Sequence, residues 1–552
     1  MTGQRDLQGT HFSVAGLSAG CDGHIGRIPI SLAPTRRLER EMKRRPAVTR
    51  LISFVMLMAP YSLMAQDAAN IAREYHQAET QKIVSDFRAF LSLPNVAANY
   101  ADMQTNAAFI QKYIGKRGFS SKVVSAGGAP YVVAERPGAE GAPTVLIYAH
   151  FDGQPVIPDQ WSSPPFEPTL WSDNPLAKGA KKLSWDQDVL DPNWRIVARA
   201  AGDDKAPVIA LMAAIDALVA ADEMPDITIK LFLDGEEERG SPTLAGVLAK
   251  VADDLAADLM LFCDGPMHQS GRRQLVLGVR GSMTVDLTTY GPNRPLHSGH
   301  YGNWASNPNE ILMRLLLSLK DDAGRVAVKG YADGVRPISP EERAAVAAMP
   351  SVDSSVKQDL GLSASEVPGE RLENAIMRPA IVVRGLSGGG VGTKARNIIE
   401  PSADASLNLR LVPGQKPELL LAALKAHFEG MGMSVSADEP AQGVARETHL
   451  KMVARPGGYR SFRTPIETPV VTVLKGILDR LGDQQTLITP TMGGSLPIYL
   501  FEDNLDAPIV ILPVANHDNN QHGRDENLRL QNLFSAIEMY AEVLAGLAQE
   551  SL

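Results

Sequence analysis

The stretch Thr144 to Val156, TVLIYAHFDGQPV, restricts what this chain can fold into more than any other. Val145 to Tyr148 is a short apolar run rich in β-branched and aromatic residues, which predicts a buried strand. Just past it come His150 and Asp152. In open α/β sheets, ligands gather at the carboxyl ends of strands. A His-x-Asp there supplies an imidazole ligand and a carboxylate able to orient it or a neighbour. One such ending is weak evidence, because a histidine near a strand end is usually ordinary packing. The pattern recurs, however. Ile227 to Leu233, apolar apart from Thr228 and Lys230, runs into DGEEERGS, and Leu259 to Cys263 runs into Asp264. The segment RIVARAAGDDKAP sets Asp203 just ahead of an apolar helix expected over Val208 to Ala221, where capping and the helix dipole favour a carboxylate. Ile509 to Val514 reads as a strand ending in NHDNNQHGRDEN.

Collected from these endings, His150, Asp203, Glu238, Asp264 and His522 are two histidines and three carboxylates. That set fits a pair of divalent ions bridged by one carboxylate. Each ion takes one His, one terminal carboxylate and a share of the bridge, and water fills the open position that catalysis needs. Mixed nitrogen and oxygen ligation suits Zn2+, with Mn2+ or Co2+ as alternatives. The adjacent glutamates 236 to 238 repel one another unless a cation or solvent relieves them.

The rest of the chain frames this constellation. Helices are expected over Ala68 to Leu91, Thr105 to Arg117, Asn309 to Leu319, Pro469 to Leu481 and Leu530 to Leu547, with a further strand over Tyr131 to Glu135. Phe151 to Pro168 reads as a loop whose Trp161 and Phe166 either cover the site or anchor the loop. Asn174 to Trp194 is polar and irregular, a surface insertion. From Gly278 the pattern changes. Ser282 to Tyr290 and Ala405 to Val412 alternate apolar and polar residues, as strands with one wet face do in an antiparallel sheet covered by helices. Residues 279–462 therefore read as an inserted domain, although Tyr331 to Arg371 gives no clear element. The helix-and-strand pattern returns from Thr464.

The N-terminus departs from this. Lys43-Arg44-Arg45, then Arg50, precede the apolar run Leu51 to Ala59, and Ser62-Leu63-Met64-Ala65 follows. This is the order of a signal peptide, too short for a membrane span. Residues 42–65 are expected to be that signal, cleaved near Ala65, with 1–41 a misassigned upstream extension of a chain starting at Met42. The mature protein is then expected in the periplasm or secreted, with Cys263 as its single cysteine and no internal disulfide. The formal charge of −9 argues against a nucleic-acid partner.

The ordered set AHFDGQPV, WSSPPFEP, GDDK, DGEEERGSP, FCDGP, LHSGHYG, NIIEPSADA, RLVPGQ, GGSLP and QHGRDEN resembles the M20 metallopeptidases, and most closely the carnosinase-type dipeptidases. The resemblance implies an α/β fold, with a mixed-sheet di-metal catalytic domain (residues 66–278 and 463–552) and an inserted α+β lid/dimerisation domain (279–462). It implies two divalent ions on His150, Asp203, Glu238, Asp264 and His522, with Asp203 as the bridge. It makes Asp152 the orienting carboxylate. The family pattern Glu-Glu-x-Gly-Ser makes Glu237 the general base and leaves Glu236 a neighbour. His297 matches a lid histidine that reaches the partner subunit's site in a homodimer. Arg410 matches the arginine that binds the substrate's carboxylate, and Gly494 and Ser495 lie in the matching Gly-rich turn. His522 is preferred to His517 because its match continues through Glu526 and Asn527. Departures at Ala206, at Ala198 to Ala201 and at Thr491 put substrate identity in doubt, not the metals. The implied activity is hydrolysis of dipeptides or C-terminal peptide bonds through metal-activated water. The alternatives are deacylation of N-acyl amino acids and, from a different class, a non-catalytic binding protein, which would need a lost ligand or base.

Overall fold

Val145, Ile147 and Ala149 face one side of their strand, Leu146 and Tyr148 the other, and all five are buried. A strand buried on both faces must be covered by helices on both sides, and the computed structural model has that arrangement. It describes residues 59–550, with side chains from 68 onward. The expected upstream extension and most of the expected signal lie outside the described residues. The backbone of helix Ala59–Ala78 passes through Ala65.

The central sheet has eight strands in the order Ser120–Val124, Tyr131–Arg136, Thr228–Asp234, Thr144–His150, Leu259–Phe262, Ile509–Ile511, Gln274–Val276, Leu487–Thr489. The middle four are parallel, and antiparallel strands flank them, so the sheet is mixed. One face packs on helices that include Thr80–Leu91, Tyr100–Gly115, Ala206–Ala220 and Leu530–Leu547. The other packs on Leu244–Val251 and Ile498–Glu502, around the stacked rings of Tyr148 and Phe262. The helix expected over Ala68 to Leu91 is two helices, Ala59–Ala78 and Thr80–Leu91. The Thr80 hydroxyl donates to the His76 carbonyl at 2.5 Å, a side-chain bond that competes with the helical ladder.

Residues 281–454 build a second sheet in the order Ala380–Ser387, Ser402–Leu411, Gly281–Tyr290, His449–Ala454, Ser434–Ser436. Met283 pairs with Leu409, Val285 with Leu407 and Leu287 with Ala405. This apolar face is covered by Pro308–Leu317 and Pro417–Gly430. The stretch without a clear element holds Pro340–Ala348 and Asp353–Asp359. The first of these opens on a capping box in which Ser339 and Glu342 satisfy each other's backbone N–H. The supposedly irregular insertion also contributes structure. Lys182–Leu183 is the outer strand of a four-stranded sheet ordered Asn527–Arg529, Arg195–Val197, Thr169–Trp171, Lys182–Leu183.

Candidate metal centre

The four parallel strands open their carboxyl ends on one side of the central sheet, and the chemistry-bearing residues sit there. His150 is the last residue of its strand, and Asp264 lies two residues past Phe262. Glu237 and Glu238 open a 3-10 turn after Asp234. The chain turns sharply at Gly235, where a Cβ would lie 2.2 Å from the Pro130 carbonyl oxygen, so no larger residue fits. Asp203 precedes helix Ala206–Ala220, and His522 stands in the loop that follows Ile509–Ile511.

These five side chains form two groups that share one member. His150, Asp203 and Asp264 bring their ligand atoms within 4.8 Å of one another, as do Asp203, Glu238 and His522. His150 Nε2 lies 2.9 Å from Asp203 Oδ1, and His522 Nε2 lies 3.1 Å from Asp203 Oδ2 and 3.2 Å from Glu238 Oε2. The two oxygens of Asp203 thus face different imidazoles. Its carboxylate does not cap the following helix, as its position suggested. The N-cap residue is Lys205, without a side-chain cap, while Asp203 Oδ2 also accepts from Gln521 Nε2 at 2.8 Å. Proximity to the helix start was the right signal for location and the wrong one for role.

Carboxylates outnumber cations here. Burial raises Glu238 to about 8 and Asp264 to about 6, and raises Glu237 well above the usual range. Burial also opposes ionisation of Asp203, but the hydrogen bonds from His150 and His522 outweigh it and lower its pKa. The bond to Asp203 raises His522 to about 9. Glu238 Oε1 and Asp264 Oδ2 are buried with no hydrogen-bond partner among the described residues. Orphaned carboxylate oxygens facing two imidazoles are the donor set a pair of divalent cations would satisfy.

The surroundings orient this set. Asp152 Oδ1 lies 3.3 Å from His150 Nδ1 and accepts from Glu237 N at 3.0 Å, and its Oδ2 accepts from Glu238 N at 3.0 Å. One carboxylate therefore fixes a candidate ligand and the glutamate pair together. Glu236 is fully buried and accepts from Ala129 N, Tyr131 Oη, Thr243 N and Thr243 Oγ1. It shapes the turn rather than standing by as a neighbour. Gln154 Nε2 donates to Glu238 Oε2 at 2.8 Å. Gln154 and Gln521 were not singled out from the sequence, although both lie inside the matched stretches AHFDGQPV and QHGRDEN.

Behind Asp203, buried Glu526 accepts from the backbone N–H of Ala200, Gly202 and Asp203, and pairs with Arg199 Nη1 at 2.6 Å. Arg199 also lies 5.0 Å from the ring of Trp161, so Trp161 packs on the site's support. Arg199→Ala would leave Glu526 buried without its cation. The expected loss is about 3–5 kcal/mol of stability, measured by chemical denaturation.

Arg410 Nη1 donates to Ser495 Oγ at 3.0 Å, next to exposed Gly494. Arg410 has no carboxylate partner among the described residues, and burial lowers its pKa. His297 is exposed and away from both groups, and its Nδ1 accepts from Gly299 N at 3.1 Å. His517, the rival to His522, is exposed and belongs to neither group.

Residues 277–432 match the family model described as "Peptidase dimerisation domain". The chain is 26% identical over 431 residues to the Cys-Gly metallodipeptidase dug1 of Schizosaccharomyces pombe, covering 76% of this chain and 83% of that protein. It is 22% identical to the Beta-Ala-His dipeptidase of Rattus norvegicus, covering 76% and 80% respectively. Among solved structures it is similar to an M20 family metallo-carboxypeptidase from Sulfolobus solfataricus, with a TM-score of 0.70 and 26% identity over 84% of this chain and 99% of that one. The fold, the matched dimerisation segment and these relatives agree in making the M20 metallopeptidases the proteins that this chain is similar to.

Proposed function

We propose that this protein is a two-metal dipeptidase that cuts the peptide bond next to a free C-terminal carboxylate. The observation that carries the reading is the pair of ligand groups sharing Asp203, with buried Glu237 beside them. When bound, two divalent ions, Zn2+ in the first instance, would acidify a water and polarise the scissile carbonyl. His150, Asp203 and Asp264 would hold one ion, and Asp203, Glu238 and His522 the other. Glu237, whose pKa burial raises, would take a proton from the attacking water and return it to the leaving amine. Arg410, half-buried and free of any carboxylate among the described residues, would grip the substrate's carboxylate with parallel hydrogen bonds, with Ser495 and Gly494 lining that end.

The proposal extends to a homodimer formed through the lid, residues 279–462. The lid's edge strand Ala380–Ser387 is exposed on both faces from Val382 onward, and Leu386 is 61% exposed. In the same domain, helix Pro308–Leu317 leaves Leu317 77% exposed. An uncovered edge with apolar residues is a surface that a second copy can cover. The basic cluster before Leu51 supports export of the mature chain. N-terminal sequencing from the native host tests this, with a first residue near Gln66 expected.

The function test is a panel of dipeptides, their C-terminal amides and N-acyl amino acids, assayed with zinc, manganese and cobalt. Dipeptides are expected to turn over, and the amides to react poorly. Arg410→Ala should raise KM for dipeptides about tenfold or more, the cost of a lost charge-assisted hydrogen bond. It should leave the amides unaffected. Turnover confined to N-acyl amino acids would replace the dipeptidase reading with deacylation.

A further inference from the structure

The insertion beside the site has no role in the chemistry above, yet it touches the loop that carries His522. Asn174, just past strand Thr169–Trp171, donates through Nδ2 to the Asp518 carbonyl at 3.0 Å and to Asn520 Oδ1 at 3.1 Å. Asn520 Nδ2 returns a bond to Asn174 Oδ1 at 3.0 Å, which closes a head-to-head amide pair. The same Asn520 nitrogen donates to the Asp525 carbonyl at 2.9 Å.

The loop needs such a hold. Asn520, His522 and Asp525 all have left-handed φ, at 59°, 61° and 55°. Asn, Asp and His adopt that conformation more readily than other non-glycine residues, but each still carries a cost that the surroundings must hold. The insertion is itself anchored by residues outside the loop. The Arg88 guanidinium stacks on Trp185 at 4.0 Å, Gln81 Nε2 donates to the Gln187 carbonyl, and Gln531 N donates to the Pro192 carbonyl. The insertion therefore links the N-terminal helices to the His522 loop, and Asn174 is its point of contact.

The two ligand groups depend on this loop unequally. His150 and Asp264 sit at strand ends and are buried, whereas the His522 side chain is 54% exposed on the loop. We infer that Asn174 is a positioning residue that sets His522 through its amide pair with Asn520. It thereby tunes the affinity of the ion held by Asp203, Glu238 and His522, without touching ion or substrate. This rests on the two-ion reading given above.

The test titrates the metal-stripped full-length chain with Co2+ against a chromophoric chelator, following the cobalt absorption bands as well. Wild type should bind in two steps. In Asn174→Ala one step should keep its affinity and the other should weaken by about 10–100-fold, the usual cost of removing a group that orients a ligand. The unfolding midpoint of the metal-free chain should not move. Asn520→Ala should weaken the same step, and adding Asn174→Ala to it should change little more, because the two act as one pair. Equal affinities for wild type and Asn174→Ala, or equal weakening of both steps, would overturn the inference and leave the two-ion reading intact. No uptake by wild type would overturn both.

Discussion

Glu237→Gln is expected to keep both metal groups and to lose ~10²–10⁴-fold in kcat, the usual cost of removing a positioned acid/base group. Glu237 belongs to neither ligand group, and its backbone is fixed by Asp152, which is untouched. Glutamine has the same shape, so the turn should hold. What is lost is the ability to carry a proton, in a carboxylate whose pKa burial raises. Glu238→Gln should behave differently. Its Oε2 faces His522 and its Oε1 is buried without a partner among the described residues, so the change should weaken metal uptake first. Metal content measured beside kcat separates the two. If the phenotypes came out reversed, base and ligand would be exchanged within the glutamate run.

His297→Ala is expected to lower kcat by roughly a hundredfold, for a barrier cost of about 3 kcal/mol when an oxyanion donor is removed. Within one chain His297 caps the short helix Ser298–Tyr301 and belongs to neither ligand group. It is exposed, and its Nδ1 accepts from Gly299 N. That bond sets the neutral tautomer with its proton on Nε2, which makes the free nitrogen a donor. In a homodimer assembled through the lid, that donor would serve the partner subunit's site. His297→Ala chains mixed with Glu237→Gln chains, each impaired alone, should therefore regain activity once subunits exchange. One site of each mixed dimer then keeps both groups. Full activity in a sedimenting monomer, or no rescue after proven exchange, would rule the arrangement out.

Much of the central sheet was readable because parallel strands buried on both faces become unbroken apolar runs, and because such strands deposit their ligands at one end. Val145–Tyr148 and Leu259–Phe262 show both effects. The lid strand Gly281–Tyr290 was readable for the opposite reason, since its buried and half-buried residues alternate. The edge strand of the same sheet, Ala380–Ser387, left no such trace. It is exposed beyond Ile381 and its register shifts between Val383 and Gly385, so no burial pattern constrains its residues. Buried Lys205 was equally silent. Its ammonium donates to the carbonyls of Phe90 and Leu93 and to Asn106 Oδ1, partners about a hundred positions away that only the folded chain brings together. Glu236 and Asn174 were passed over for the same reason. A charge run or a polar loop is ordinarily solvated, and only the fold reveals that these two are held.

Elemental analysis of the purified protein, paired with chelation, tests the shared-aspartate metal centre most directly. About two divalent ions per chain are expected, with activity lost to chelator and restored by adding the metal back. At most trace metal in a protein that stays active through chelation would contradict it.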